Sequence, residues 1–250
     1  FYIGGSLGIL STIQEVERVY TEVPTDSDLS EMTLSDNYEI NGIGINATLG
    51  VIGRPIDQFL LAVSYTTPTY HSLEQIRTLS LTAEFTNFDP EFSEILYEPF
   101  NYNLTTPSRL NVGGTYFIGK SGLVTANAER VNFGGANLSN TEAGISFSDS
   151  NNDIDRLESV WNYRIGAEFR YEVFRFRGGF SLNADPIDND IDEGETRISV
   201  GGGIRTRDYF ADLAVVASNG RNSTVSPYEG QQALVDNQNL LVAFTVGFFF

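Results

Sequence analysis

The sequence contains no cysteine and only one methionine, one tryptophan and one histidine among its 250 residues. The lack of cysteine excludes disulfides and zinc–thiolate sites, although it does not identify the compartment. Basic residues are also few, 15 against 33 acidic ones, and the resulting net charge of −18 argues against a nucleic-acid partner. No apolar run approaches the ~18 residues of a membrane helix, so any crossing of a membrane must be made by strands.

The acidic residues are concentrated in a few stretches of the chain. Segments 15–39, 73–99, 134–158, 185–195 and 219–238 hold 27 of the 33 acidic residues but only four of the 15 basic ones. The stretches between them are glycine-rich, aromatic and slightly basic. This distribution predicts long acidic loops that join strands within one domain covering residues 1–250.

The last eleven residues alternate in a way that few soluble strands do. One face would carry Leu240, Val242, Phe244, Val246, Phe248 and Phe250, and the other Leu241, Ala243, Thr245, Gly247 and Phe249. Successive side chains of a strand point to opposite faces, so this strand has an apolar face and no charge on either face. Eleven residues also match the ~9–11 that a tilted strand needs to cross a bilayer.

Nine other segments alternate with the same period of two. They are 1–10, 40–53, 59–65, 109–118, 123–133, 161–171, 175–182, 196–205 and 209–218. Residues 67–108 contain the pairs Thr67-Pro68, Asp89-Pro90 and Thr106-Pro107, which predict a long excursion with a hairpin of its own at 79–87.

The connections between these segments alternate in length. Those at 53–57, 119–122, 172–174 and 206–208 are tight, whereas the others are long and acidic. Long loops on one side and short turns on the other are typical of outer-membrane barrels and not of soluble sandwiches. We therefore predict an all-β fold, a transmembrane antiparallel β-barrel with ten membrane strands, located in the bacterial outer membrane as a multi-pass protein.

Four stretches carry a resemblance to a known family. They are Gly42-Ile-Gly-Ile-Asn-Ala-Thr-Leu-Gly-Val-Ile-Gly-Arg-Pro55, Val63-Ser-Tyr-Thr-Thr-Pro-Thr-Tyr70, Thr106-Pro-Ser-Arg-Leu-Asn-Val-Gly-Gly-Thr-Tyr116 and Gly119-Lys-Ser-Gly-Leu-Val-Thr-Ala-Asn-Ala-Glu129. They resemble the OmpP1/FadL/TodX family of outer-membrane transporters of hydrophobic compounds, in its Bacteroidetes form. The resemblance implies a fourteen-stranded barrel plugged by an N-terminal hatch. On that basis this chain is the C-terminal part of the barrel, and the hatch and first strands lie outside it.

The polar faces of the predicted strands collect the candidate site residues. The candidates for substrate contact are Asn46, Thr48, Arg109, Asn111, Glu129, Arg164, Glu168, Arg170, Arg177, Arg197 and Asp212, with Arg175 and Arg205 on the same faces. Two interpretations are open. The opposite charges pair with one another in a polar lumen, or some arginines attract a carboxylate head group, which guanidinium binds in a bidentate manner.

Two weaker motifs point to other chemistry. His71, beside Thr69 and Ser72, is the one histidine, and a hydrolase would need a serine, a histidine and an acid brought together. Asp188, Asp190 and Asp192 mimic the start of a calcium loop, but Glu193 replaces the expected glycine and Ser199 the expected acid. We predict no metal and no cofactor, with loose Ca²⁺ binding at the three aspartates as a weaker alternative.

The resemblance implies a function as well as a fold. We expect a channel for hydrophobic small molecules, such as long-chain fatty acids or aromatic hydrocarbons, that does no chemistry on them. A structural barrel subunit of a larger secretion or nutrient-uptake complex is the alternative, and an outer-membrane hydrolase is a weaker one. The expected partners are outer-membrane lipid, a hydrophobic substrate and, for the subunit alternative, other outer-membrane proteins.

Overall fold

The computed structural model describes residues 1–25, 27–140, 146–187, 193–225 and 232–249. Fourteen strands and one short helix make up most of this part of the chain. The strands are β1 (Tyr2–Glu22), β2 (Leu29–Ile56), β3 (Phe59–Thr66), β4 (Tyr70–Phe85), β5 (Glu91–Leu96), β6 (Phe100–Thr105), β7 (Arg109–Ile118), β8 (Gly122–Asn132), β9 (Asn137–Asn140), β10 (Ser159–Tyr171), β11 (Phe174–Asn183), β12 (Glu195–Arg205), β13 (Tyr209–Val225) and β14 (Gln232–Phe248); the helix is α1 (Ser148–Ile154). No helix among the described residues is long and apolar enough to cross a membrane.

Ten of the strands form one continuous antiparallel wall. Its order is β14-β13-β12-β11-β10-β8-β7-β3-β2, with β1 on the other side of β2. These ten strands are the ten predicted from the alternating pattern, and that prediction is confirmed. Tight turns join β2 to β3, β7 to β8, β10 to β11 and β12 to β13, at the four short connections that the sequence predicts. Each turn leaves the two strands that it joins paired with each other.

Four of the wall strands, β1, β2, β13 and β14, are much longer than the alternating pattern predicted. β13 and β14 pair from Tyr209↔Phe248 to Val225↔Gln232, so the assignment of 219–225 and 232–238 to a loop was wrong. β1 and β2 pair without a break from Tyr2↔Ile52 to Glu22↔Met32, so much of segment 15–39 is strand and its assignment to a loop was wrong. The segment is acidic, but a strand whose two faces are both solvated needs no apolar alternation. The backbone ladder supplies its hydrogen bonds whatever the side chains are.

The excursion at 67–108 is also mostly strand. β4 continues in line with β3 and pairs with the first half of β2, and β5 and β6 then return in line with β7. The predicted hairpin at 79–87 was wrong, since β4 runs on to Phe85 before the chain turns back. Pro68 and Pro107 lie at two facing breaks, 67–69 and 106–108, where Thr106 N–H donates to the Thr69 carbonyl at 2.9 Å. Proline interrupts a ladder at such places without leaving a bond unmade.

We call the part of the sheet beyond these breaks the upper sheet. It consists of residues 13–22 of β1, residues 29–41 of β2, and all of β4 and β5. In the predicted loop at 134–158, the short strand β9 pairs with β6, and helix α1 follows it along the chain. The Asn151 side chain fixes α1 to β9, because it both accepts from the Leu138 N–H and donates to the Leu138 carbonyl, each at 2.8 Å.

One face of the ten-stranded wall is apolar and exposed, and we call it the apolar band. On β2 it presents Leu49, which is 68% exposed, and on β14 it presents Phe244, which is 70% exposed. The whole chain exposes 17222 Å², whereas a water-soluble monomer of its mass would expose about 11,000 Å². The fold therefore buries much less side-chain surface than a water-soluble protein of the same mass.

The few buried side chains lie on the opposite face of the wall, which we call the polar face, close to the strand breaks. The buried apolar residues among those described are Leu73, Tyr102, Val131 and Val160, and the buried polar ones are Asp36, Thr69, Glu129 and Asn162. Register places Leu73 beside Tyr102 and Val131 beside Val160. The densest packing of the molecule therefore lies where the wall meets the upper sheet.

Candidate functional site

The polar face of strands β8 to β13 carries most of the predicted site residues. The tight turns fix which of them meet. The short turn after Tyr171 sets Glu168 opposite Arg177, and the pairing of β10 with β8 sets Asn162 opposite Glu129. Side chains opposite each other on one face of a sheet are within contact distance. Two polar clusters result.

The first cluster surrounds Glu129, which is buried. Asn162 donates from Nδ2 to Glu129 Oε1 at 3.2 Å, and an Arg164 guanidinium nitrogen lies 3.5 Å from Glu129 Oε2. Asn162 also accepts from the backbone N–H of Ala184 at 3.0 Å through its Oδ1. A buried carboxylate is costly unless it is paired and hydrogen-bonded, and Glu129 is both.

The second cluster is a chain of alternating charges across four strands. Glu168 accepts from Arg170 at 2.5 Å and from Arg177 at 2.7 Å, using one carboxylate oxygen for each. Arg177 also donates to Asp212 Oδ1 at 2.6 Å. Two guanidinium groups and two carboxylates therefore join into one charge-neutral network, which we call the four-residue network.

Two glycines of β12 make this network possible. In register, Arg177 lies opposite Gly201 and Asp212 lies opposite Gly203, so the Arg177–Asp212 bond passes over β12 between them. A Cβ atom on Gly203 would collide with the Asp212 carboxylate. The glycines are needed here for close approach of side chains, not for an unusual backbone angle.

The other predicted residues are distributed along the same face. Asn46 donates to Thr69 Oγ1 at 2.9 Å, and the Thr48 and Thr66 hydroxyls are 2.9 Å apart. Asn111 lies opposite Glu129 and thus beside the first cluster. Arg109 is exposed at the start of β7, and Arg197 donates to Glu195 at 2.6 Å at the far end of β12. These residues therefore share a face but do not converge on one point.

An apolar patch on the polar face escaped the sequence analysis. The Tyr102 ring contacts Phe100 and Phe147, with ring centroids 5.5 Å and 5.6 Å apart. Leu73 is opposite Tyr102 in register, so it lies beside the same ring. The patch was missed because its residues belong to segments assigned to loops. The signal that could have found it is the facing pair of prolines, since Thr-Pro occurs at both breaks.

An ion pair joins β2 and β4 in the upper sheet. Arg77 donates twice to Asp36, at 2.7 Å and 3.0 Å, and its guanidinium also lies 5.3 Å from the Tyr97 ring centroid. Hydrogen bonds from Arg77 are the main reason that the pKa of Asp36 is lowered, against the opposing effect of burial. Asp36 therefore stays ionised below the usual range of a carboxyl group.

The two weaker motifs have different outcomes. His71 Nδ1 lies 3.3 Å from Thr12 Oγ1, and its ring lies over Gly44. Ser72 follows it in β4 and so points to the opposite face, which separates the serine from the histidine. The calcium candidates Asp188, Asp190 and Asp192 lie outside the described residues. Within the described part of the chain, no group of three or more His, Asp or Glu side chains could hold a metal ion.

Comparisons with known proteins bear on the fold. No protein-family model matches the chain, and no curated protein is detectably similar to it in sequence. Among solved structures, the chain is similar to the P. putida toluene transporter TodX, with a TM-score of 0.58 and 15% identity over 98% of this chain. The match covers 64% of the TodX chain, so this chain spans less than two thirds of that length. The fold is therefore that of a FadL-like β-barrel.

Proposed function

We propose that this chain forms the wall of an outer-membrane channel that passes hydrophobic small molecules, such as long-chain fatty acids or aromatic hydrocarbons, and does not alter them. The observation that carries the proposal is the division of the wall into an uncharged, exposed apolar band and a polar face whose charges are paired. Such a division is what a membrane barrel requires, with lipid outside and a polar interior inside. The likeness in fold to a toluene transporter supports the same class of cargo.

The site residues fit a passive role. Glu129, Glu168 and Asp212 are each bound to arginine or asparagine, so none is set up as a general base. His71 is bound to Thr12 and is separated from Ser72 by the sheet. We infer that the polar face guides cargo and does not catalyse a reaction on it.

Uptake by cells tests the proposal. The gene is deleted, and the uptake of a labelled aromatic hydrocarbon and of a labelled long-chain fatty acid is measured. We expect uptake of at least one of them to fall and to return with the wild-type protein or with His71→Ala. Uptake that is unchanged in the deletion strain would contradict the channel. Restoration by the wild type but not by His71→Ala would favour an enzyme.

A structural role in a larger complex is the second candidate, and the upper sheet is the observation that favours it. β5 is exposed along its whole length, with Phe92 66% exposed and Leu96 69% exposed. Exposed apolar residues on an edge strand are a ready template for pairing with another chain. Purification of the tagged protein under mild detergent, followed by analysis of bound proteins, separates the two candidates, because a complex partner should be lost in Phe92→Lys while cargo uptake by a channel should not.

A further inference from the structure

The arginines of the polar face would be expected to favour cargo with a carboxylate head, but the structure occupies most of those on strands β10 to β12. Guanidinium is the side chain that binds carboxylates best. On strands β10 to β12, Arg164, Arg170, Arg177 and Arg197 each lie within 3.5 Å of a carboxylate of the chain itself. Arg175 is bound instead to the carbonyls of Glu172 and Phe174 at the turn.

The four-residue network is the part of this arrangement that lies near the tight-turn ends of β10, β11 and β13. Arg170 and Arg177 share Glu168, and Asp212 takes the remaining side of Arg177. Small residues border the network on the polar face, namely Gly166, Gly179, Ser199 and Gly201. The interior is therefore open beside the network, where a molecule would pass both carboxylates as well as both guanidinium groups.

We propose that the channel selects uncharged apolar cargo over apolar carboxylates, and that Glu168 and Asp212 are the residues that set this preference. The inference rests on the proposed function and deepens it. A carboxylate that approaches Arg170 or Arg177 meets Glu168 or Asp212 at the same distance and gains little, because attraction and repulsion nearly cancel. An uncharged molecule pays no such electrostatic cost and needs only the open space.

The entrance acts in the same direction. The acidic residues of the chain are concentrated in segments 15–39 and 73–99, which form the upper sheet, and in the loops around it. A field of one sign at the mouth lowers the local concentration of ions of that sign. Anionic cargo is thus disfavoured at the entrance and gains no compensating site inside.

Two probes that differ in one group test the inference. They are labelled hexadecanoate, which is an apolar carboxylate, and hexadecan-1-ol, which has the same chain length and no charge. In the double variant Glu168→Gln and Asp212→Asn, both arginines lose their carboxylate partners while side-chain size is kept. We expect the ratio of hexadecanoate to hexadecanol uptake to rise about tenfold, the change that about 1.4 kcal/mol produces.

The matched control is Asp57→Asn, which makes the net charge less negative at an exposed position of the tight turn between β2 and β3, away from both the network and the upper sheet. It should leave the uptake ratio of the wild type unchanged. The single variant Asp212→Asn is the second test, because it keeps both bonds of Glu168 and should fold if the double variant does not. We expect it to change the ratio in the same direction by a smaller factor, at a level of protein in the membrane equal to that of the wild type.

The possible results separate this inference from the proposed function. A wild type that takes up both probes equally, with variants that leave the ratio unchanged, would overturn the selectivity and leave the channel standing. A wild type that takes up neither probe beyond the deletion strain would overturn the channel and the selectivity with it. A raised ratio in both network variants, and not in Asp57→Asn, is the supporting result.

Discussion

The two halves of β2 have the same backbone structure and opposite side-chain chemistry. From Gly42 to Ile56, the exposed large side chains are Ile43, Ile45, Leu49, Val51, Ile52 and Ile56. From Leu29 to Asn41 the strand instead carries charged residues at 31, 36 and 39 and polar ones at 30, 33, 35, 37 and 41. Both halves are hydrogen-bonded to β1 on one side and to β3 or β4 on the other. Backbone pairing is thus the same in both halves, and the side chains alone distinguish the apolar half from the polar half.

The largest expected difference between the two halves of β2 is in how each tolerates an arginine on the same face of the strand. Leu49→Arg puts a charge in the middle of the apolar band and should cost about 2–4 kcal/mol of the free energy of folding into a bilayer. Asn37→Arg lies on the same face of the same strand in the upper sheet and should change it by less than about 0.5 kcal/mol. Urea titration of the protein folded into lipid vesicles measures both.

The control for that experiment is Thr48→Arg, next to Leu49 but on the polar face. It should fall between the other two variants, because an inward-facing charge remains in a polar interior. Equal losses for Leu49→Arg, Thr48→Arg and Asn37→Arg would show that the assignment of faces is wrong.

A glycine at the junction of the two halves should give the next largest effect. A Cβ atom on Gly42 would collide with the Ser72 carbonyl and would lie 2.7 Å from a Leu73 methyl group. Overpacking of this kind typically costs about 1–3 kcal/mol, so Gly42→Ala should lower the urea midpoint. Gly4→Ala is the matched control, since nothing lies within 4 Å of the position of its Cβ. A midpoint for Gly42→Ala as high as that for Gly4→Ala would contradict the close approach of β2 and β4.

Acid should weaken the upper sheet and leave the apolar band intact. The pKa of Asp36 is lowered by Arg77, so the pair contributes fully above the usual carboxyl range, and its contribution is lost as the pH falls through the lowered pKa. Because Arg77 is 41% exposed, we expect that contribution to be only about 0.5–1.5 kcal/mol. It is measured as the difference in hydrogen-exchange protection of β4 amides between wild type and Asp36→Asn, corrected for the intrinsic dependence on pH.

That difference should be present at pH 7 and should shrink towards pH 3. The exposed pair Arg221–Asp236 provides the control, because its side chains are 47% and 62% exposed and Asp236→Asn should have a smaller effect at every pH. A difference that grows as the pH falls would reverse the sign that the lowered pKa requires.

Labelling with a membrane-impermeant thiol reagent measures no free energy, but it shows which end of the wall faces the outside of the cell. Glu17→Cys in the upper sheet should be labelled on intact cells, and Ser121→Cys in the tight turn between β7 and β8 should be labelled only after lysis. The chain has no cysteine of its own, so the background is clean. Labelling of Ser121→Cys alone on intact cells would reverse the orientation.

The apolar band could be predicted from the sequence because the apolar surroundings of one face leave a regular alternation of apolar residues. β7 was predicted at 109–118 and occupies Arg109–Ile118, since every second residue there is apolar and a tight turn follows. The upper sheet could not be predicted in the same way. Its strands carry polar or charged residues on both faces, and its stabilising pair, Asp36 with Arg77, joins residues 41 positions apart in the chain.

The contacts of the candidate site also divide into those that could be predicted from the sequence and those that could not. The contact between Glu168 and Arg177 follows from a two-residue turn between strands of known phase, so their pairing is accessible to sequence reasoning. The bond from Arg177 to Asp212 is not, because it crosses an intervening strand and depends on glycines at 201 and 203. The sequence shows that those glycines are there but not what passes over them.

The long ladder between β1 and β2 also has a mechanical consequence. A pull outward on the tip, where β1 ends at Glu22 and β2 begins at Leu29, loads the bonds to β3 and β4 in shear, so that many must yield together. A sideways pull on β5 loads its six pairs with β4 one after another, and the strand peels away. A partner bound at the tip should therefore withstand a larger pulling force than a partner bound at β5, because detaching β5 requires only the six pairs of one short strand to break in turn.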